Sequence, residues 1–223
     1  MTTRARLGAL FAAALVAVTP SLATAQQDPR LDARLAPEAR QDVISMLDSA
    51  RTEGLPVEPM IDRALEGATK GAAPQLIVRA VERLLGELRV ARDALGEIAT
   101  PGELSAGASA IRAGATAADL EELRFRRPGQ ILTVAAGVLA DLVAVGVPAD
   151  TAVAAVLALA AETDDSEYVA FRRNVERDIA LGASPTAALG VRLQAMADAL
   201  SASSPTFESA GASSGGQRRP RKP

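Results

Sequence analysis

The chain has 223 residues, 24 basic and 27 acidic, and is 48% hydrophobic but only 2% aromatic, with neither cysteine nor histidine. Those two absences exclude Ser-His-Asp and Cys-His catalysis, the usual zinc sites, disulfide cross-links and haem attachment through Cys-x-x-Cys-His. A core must come from aliphatic packing, and the abundant Ala, Leu, Glu and Arg are all strong helix formers.

Arg4 and Arg6 precede an apolar run over residues 7–18, Pro20 breaks it, and Ala23-Thr24-Ala25 supplies the small residues of a signal-peptidase site. Cleavage is expected between Ala25 and Gln26. The run is too short to span a bilayer comfortably, and no cysteine follows it for lipid attachment. A periplasmic or secreted bacterial protein is the expectation. Residues 26–36 read as a polar lead-in.

The first helix is expected at Pro37-Glu38, with Val43, Met46, Leu47 and Ala50 on one face and Gly54 at its end. The second carries Met60, Ile61, Ala64, Leu65 and Ala68 and stops at Gly71. A third, from Pro74 to Ala99, shows a wide stripe of Leu76, Ile77, Ala80, Val81, Leu84, Leu85 and Leu88. After Thr100-Pro101-Gly102-Glu103 a weaker helix carries Leu104, Ala108 and Ile111 as far as Gly114. Thr116 caps the next, in which Asp119, Glu121 and Glu122 come first and Arg124, Arg126 and Arg127 last, the order that complements a helix dipole.

Residues 131–145 and 152–161 are the most apolar stretches and flank a Gly146-Val147-Pro148-Ala149-Asp150 turn. Each is short of about 20 residues and Asp141 interrupts the first, so a buried helical hairpin fits better than a membrane one. Asp164, Asp165 and Glu167 open a helix with Tyr168, Phe171, Val175 and Ile179 inward and Gly182 at its end. The last helix runs from Pro185 to Leu200 with Leu189, Leu193, Met196 and Leu200 at core spacing. No period-2 alternation stands out. Residues 201–223 dissolve into Ser, Ala, Gly and Pro, then Arg218, Arg219, Arg221 and Lys222, the composition of a disordered basic tail.

A pattern recurs at the helix ends: Gly, a small or apolar residue, then Pro, Ser or Thr and a new helix. It occurs at Gly54, Gly71, Gly114, Gly146 and Gly182. Gly is suited to the left-handed residue that ends a helix. The last three are 32 and 36 residues apart, the length of a helical hairpin. The expected fold is all-α with about 8–9 helices, an irregular helical bundle or, second to it, a short α-solenoid of stacked helix pairs. It spans residues 37–200, with halves at 37–114 and 115–200.

Residues 26–200 carry 18 basic against 26 acidic residues, so the body is acidic and only the tail is basic. No nucleic-acid partner is expected. Lys70 is the one lysine of the body and lacks Walker spacing, and Asp164-Asp165-Ser166-Glu167 lacks the alternating ligands of an EF-hand. No catalytic motif, metal site or cofactor is therefore expected. Arg124, Arg126 and Arg127, with Arg218, Arg219, Arg221 and Lys222, are the candidates for contact with an anion or a partner. The expectation is a non-enzymatic interaction or structural protein whose partner is another envelope protein. The alternatives are weak contact of the tail with anionic lipid or wall polymer, and, behind it, a carboxylate-based enzyme.

Overall fold

The protein was analysed as a computed structural model, which describes residues 28–203 apart from Glu162. The expected cleavage site at Ala25 and Gln26 and the basic residues Arg218, Arg219, Arg221 and Lys222 lie outside the described residues. Ten helices follow one another, with no strand among the described residues: α1 (Pro29–Arg34), α2 (Pro37–Thr52), α3 (Glu58–Thr69), α4 (Pro74–Leu95), α5 (Pro101–Ala113), α6 (Ala117–Arg126), α7 (Thr133–Ala144), α8 (Ala149–Leu159), α9 (Asp165–Ala180) and α10 (Pro185–Ser203).

Nine of them answer to the helices expected in chain order, against a total put at about 8–9. The tenth, α1, lies in the stretch read as a polar lead-in. Asp28 caps it by accepting from the Arg30 amide, and Leu31 and Leu35 are buried. Helix α4 stops four residues before the expected Ala99, because Gly96 takes a positive φ of 87°. Helix α10 continues to Ser203, past the expected Leu200.

The five recurrent glycines all have positive φ, between 67° and 113°. At each, the next amide reaches back to the carbonyl five residues before it, as from Leu55 to Ala50 at 2.8 Å and from Val147 to Leu142 at 3.0 Å. This is the Schellman closure, and it satisfies helix-end carbonyls while turning the chain toward the next helix. Leu55, Ala115 and Val147, each just after such a glycine, are buried, so the turns also anchor the corners.

Every substantial helix–helix contact joins neighbours or next neighbours in the chain. The even helices form one row, α2 on α4, α4 on α6, α6 on α8 and α8 on α10. The odd helices form a second row of α1 on α3, then α5 on α7 and α7 on α9, with α4 packed against both α3 and α5. The fold is thus an all-α helical bundle, the first of the two expected architectures, in which packing runs between helices one or two apart in the chain.

Two hydrophobic clusters fill it. One joins α1 to α4 through Val43, Leu47, Met60, Val81 and Leu88, and the other runs from the end of α4 to α10 through Leu120, Leu139, Leu142, Val156 and Phe171. Of the stripe expected on α4, Ile77, Val81, Leu84, Leu85 and Leu88 are buried, whereas Leu76 faces solvent. Gly107 lets α5 approach α4 closely: a Cβ there would lie 3.0 Å from the Ala91 methyl. No described helix is long and apolar enough to cross a membrane.

Candidate interaction site at the corner between α6 and α7

The three arginines at the end of α6 all turn toward neighbouring helix pairs. Thr116 and Asp119 form a capping box at the start of α6, so its C-terminal turn is where cations are favoured. Arg124 donates from Nη2 to Glu103 Oε1 at 2.5 Å and from Nη1 to the Gln130 carbonyl at 2.8 Å. Arg126 pairs with Glu122 at 2.7 Å on its own helix and donates to the Leu157 carbonyl in the last turn of α8 at 2.9 Å. Arg127 is only 2% exposed. It donates to the Thr163 carbonyl at 2.6 Å and to Asp165 at 3.0 Å, and its guanidinium carbon lies 5.2 Å from the centroid of the Tyr168 ring.

These bonds place each arginine on a different neighbour. Arg124 ties α6 back to α5, Arg126 ties it to α8, and Arg127 ties it to the turn between α8 and α9. Tyr168 completes the last joint by donating to the Val156 carbonyl of α8 at 2.7 Å. Burial pushes the Tyr168 phenol above its ordinary pKa. Arg124 Nε and Arg127 Nε are buried without a partner, so the clamps are tight without being fully satisfied.

Glu103 is the hub of the corner. Its carboxylate accepts from the Thr100 amide and hydroxyl, both at 2.9 Å, in the capping box of α5. It also accepts from the Leu132 amide at 3.0 Å, immediately before α7, and from Arg124. Burial raises its pKa, but the amides of Thr100 and Leu132, the Arg124 guanidinium and the Thr100 hydroxyl together pull it down to about 2. One buried carboxylate therefore fixes the first turn of α5, the end of α6 and the start of α7. A second, Glu87 on α4, holds Arg112 of α5 at 2.5 Å.

The loop so fixed contains Pro128 and Gly129, the latter at φ 71°. Around this loop Arg127 is buried, Arg124 half-buried and Arg126 exposed, and two apolar side chains face out: Phe125 is 79% exposed and Ile131 59% exposed. Ile131, but not Phe125, borders a shallow cleft of about 490 Å³ lined also by Arg127, Gln130, Asp164, Asp165 and Ser166. The expected acidic group at residues 164–167 caps α9, with Asp164 accepting from the Glu167 amide at 2.9 Å. Lys70 lies at the end of α3, its ammonium 2.6 Å from Glu66. Among the described residues, no group of three or more carboxylates is arranged to hold a metal ion.

The sequence singled out the three arginines but not their directions; it passed over Phe125 and placed Ile131 at the start of a buried helix, whereas Ile131 is 59% exposed and precedes α7. Its one readable clue was the Thr-x-x-Glu spacing at Thr100 and Glu103, which marks a capping box. Compared with known proteins, the chain matches no protein-family model, no curated protein and no solved structure.

Proposed function

We propose that this chain is an exported, non-enzymatic interaction protein of the bacterial cell envelope that binds a protein partner through the corner between α6 and α7. The reading is carried by one observation: a corner clamped by Glu103, Arg124, Arg126 and Arg127 holds Phe125 and Ile131 outward. Binding energy concentrates on a few large side chains, and it is lost less to ordering when the scaffold is already rigid. Two large apolar side chains flanking one short loop are such anchors. The signal-type N-terminus supports export, and the acidic body supports a protein partner over a polyanion. The Arg124, Arg126 and Arg127 guanidiniums serve as the frame of this site, and the apolar pair serves as its contact.

The test is capture from the envelope of the producing bacterium by the tagged full-length chain, beside a Phe125→Asp, Ile131→Asp variant of the same length. Both residues are exposed, so the variant keeps its helical content and melting transition. The expected result is a partner retained by the parent chain and lost by the variant. Equal capture by both chains would move the contact elsewhere on the bundle.

A further inference from the structure

The charge of the corner between α6 and α7 runs against its sequence. Arg124, Arg126 and Arg127 are three basic residues in four positions, a run that by itself points to an anionic partner. Each guanidinium, however, already holds a carboxylate. Arg124 pairs with Glu103 at 2.5 Å, Arg126 with Glu122 at 2.7 Å and Arg127 with Asp165 at 3.0 Å. The three pairs cancel in charge, and what is left over at the corner is acidic.

Two carboxylates stand beside the apolar anchors and take part in no ion pair among the described residues. Glu121 is exposed one helical turn before Phe125 on the same face of α6, roughly 6 Å away between Cβ atoms. Asp164 is exposed at the cleft that Ile131 borders. Its Oδ1 accepts from the Glu167 amide at 2.9 Å and the Ser166 hydroxyl at 2.7 Å, bonds that favour the charged carboxylate. Nothing basic follows to balance them. Between Arg127 and Arg172 the sequence has neither lysine nor arginine, and that stretch forms the loop, α7, α8 and the start of α9. Each apolar anchor therefore has an unpaired negative charge at its side.

We propose, resting on this corner as the contact, that the partner protein seats an apolar patch edged by lysine or arginine on Phe125 and Ile131, with Glu121 and Asp164 receiving those cations. Complementary charges at the rim of an apolar contact steer the encounter and turn away like-charged competitors. An acidic partner would meet two unpaired carboxylates and find each guanidinium of the corner already paired.

The test uses the full-length chain with a benzophenone amino acid at position 125, irradiated with the envelope fraction of the producing bacterium. The adduct is quantified and its crosslinked peptide sequenced by mass spectrometry. The expected partner segment carries a net excess of lysine and arginine. Glu121→Gln with Asp164→Asn should lower the adduct yield about five-fold, the effect of two rim charges acting together. Asparagine still caps a helix, so α9 keeps its start. Glu38→Gln with Asp42→Asn makes an equal charge change at two exposed carboxylates of α2 and should lower the yield less than about two-fold. Raising the salt from about 0.05 to 0.5 M should remove the parent's advantage over the first variant. A discrete adduct whose partner segment is neutral or acidic overturns the inference and leaves the corner as the contact. So does a yield that responds no more to the first pair of substitutions than to the second. No adduct from position 125 overturns both.

Discussion

Arg127 at the end of α6 lies beneath the Tyr168 ring of α9, its guanidinium carbon 5.2 Å from the ring centroid, while its Nη1 reaches the Thr163 carbonyl at 2.6 Å. A single side chain thereby joins the last residue of one helix pair to the first turn of a pair two steps along the chain. Cation–aromatic contact and charge-assisted hydrogen bonds both gain when water is excluded, as it is around a residue this deeply buried.

Replacing that arginine tests the joint. Arg127→Met keeps the apolar stem but leaves the Thr163 carbonyl without its donor, and the expected cost is about 2–3 kcal/mol in chemical denaturation. Arg127→Lys should recover only part of this, because an ammonium cannot match the planar fork that meets Thr163, Asp165 and the ring together. Full stability in the methionine variant would show that the joint contributes nothing.

Glu103 sets a pH dependence with a definite sign. Its folded pKa is lowered to about 2 from the ordinary 4.5. The resulting stabilisation is present above pH 4.5 and is lost as the pH falls toward 2. By linkage it amounts to at most about 3 kcal/mol. In Glu103→Gln the stability at neutral pH should drop, and the slope of stability between these two pH values should flatten relative to the parent. An unchanged slope would mean that other carboxylates carry the whole acid response.

Two glycines at equivalent turns should differ in their tolerance of alanine. Gly114 and Gly182 have φ of 113° and 102°, so either substitution strains the backbone by about 1–2 kcal/mol. At Gly114 the new methyl would also lie 2.9 Å from the Ala149 Cβ, whereas at Gly182 it meets open space. Thermal melts should therefore rank Gly114→Ala below Gly182→Ala. The reverse order would contradict the packing of the turn after α5 against the start of α8.

Much of the fold was readable because glycine and proline punctuate it. A left-handed residue and a fixed φ act on the backbone locally, so Gly54, Gly71, Gly114, Gly146 and Gly182 announced their turns without tertiary context. Helix α1 was not readable: six residues with Leu31 as their one buried apolar position give no helical period. The end of α4 was misplaced because Glu97 and Ala99 are compatible with a helix that Gly96 in fact closes. At the candidate site, identity was legible and direction was not. Arg124, Arg126 and Arg127 stand out as a run, but Glu103, Leu157 and Thr163, to which they donate, are 21 to 36 residues away.

The measurement that bears most directly on the corner between α6 and α7 is site-specific photo-crosslinking in the producing cell, with a benzophenone amino acid replacing Phe125 and, as a control, Ile98. Both positions are exposed and apolar, Ile98 at 92%, but Ile98 lies in the loop after α4. The predicted result is a discrete adduct to one envelope protein from position 125 and none from position 98. Equal labelling from both positions, or none from either, would contradict a partner seated on that corner.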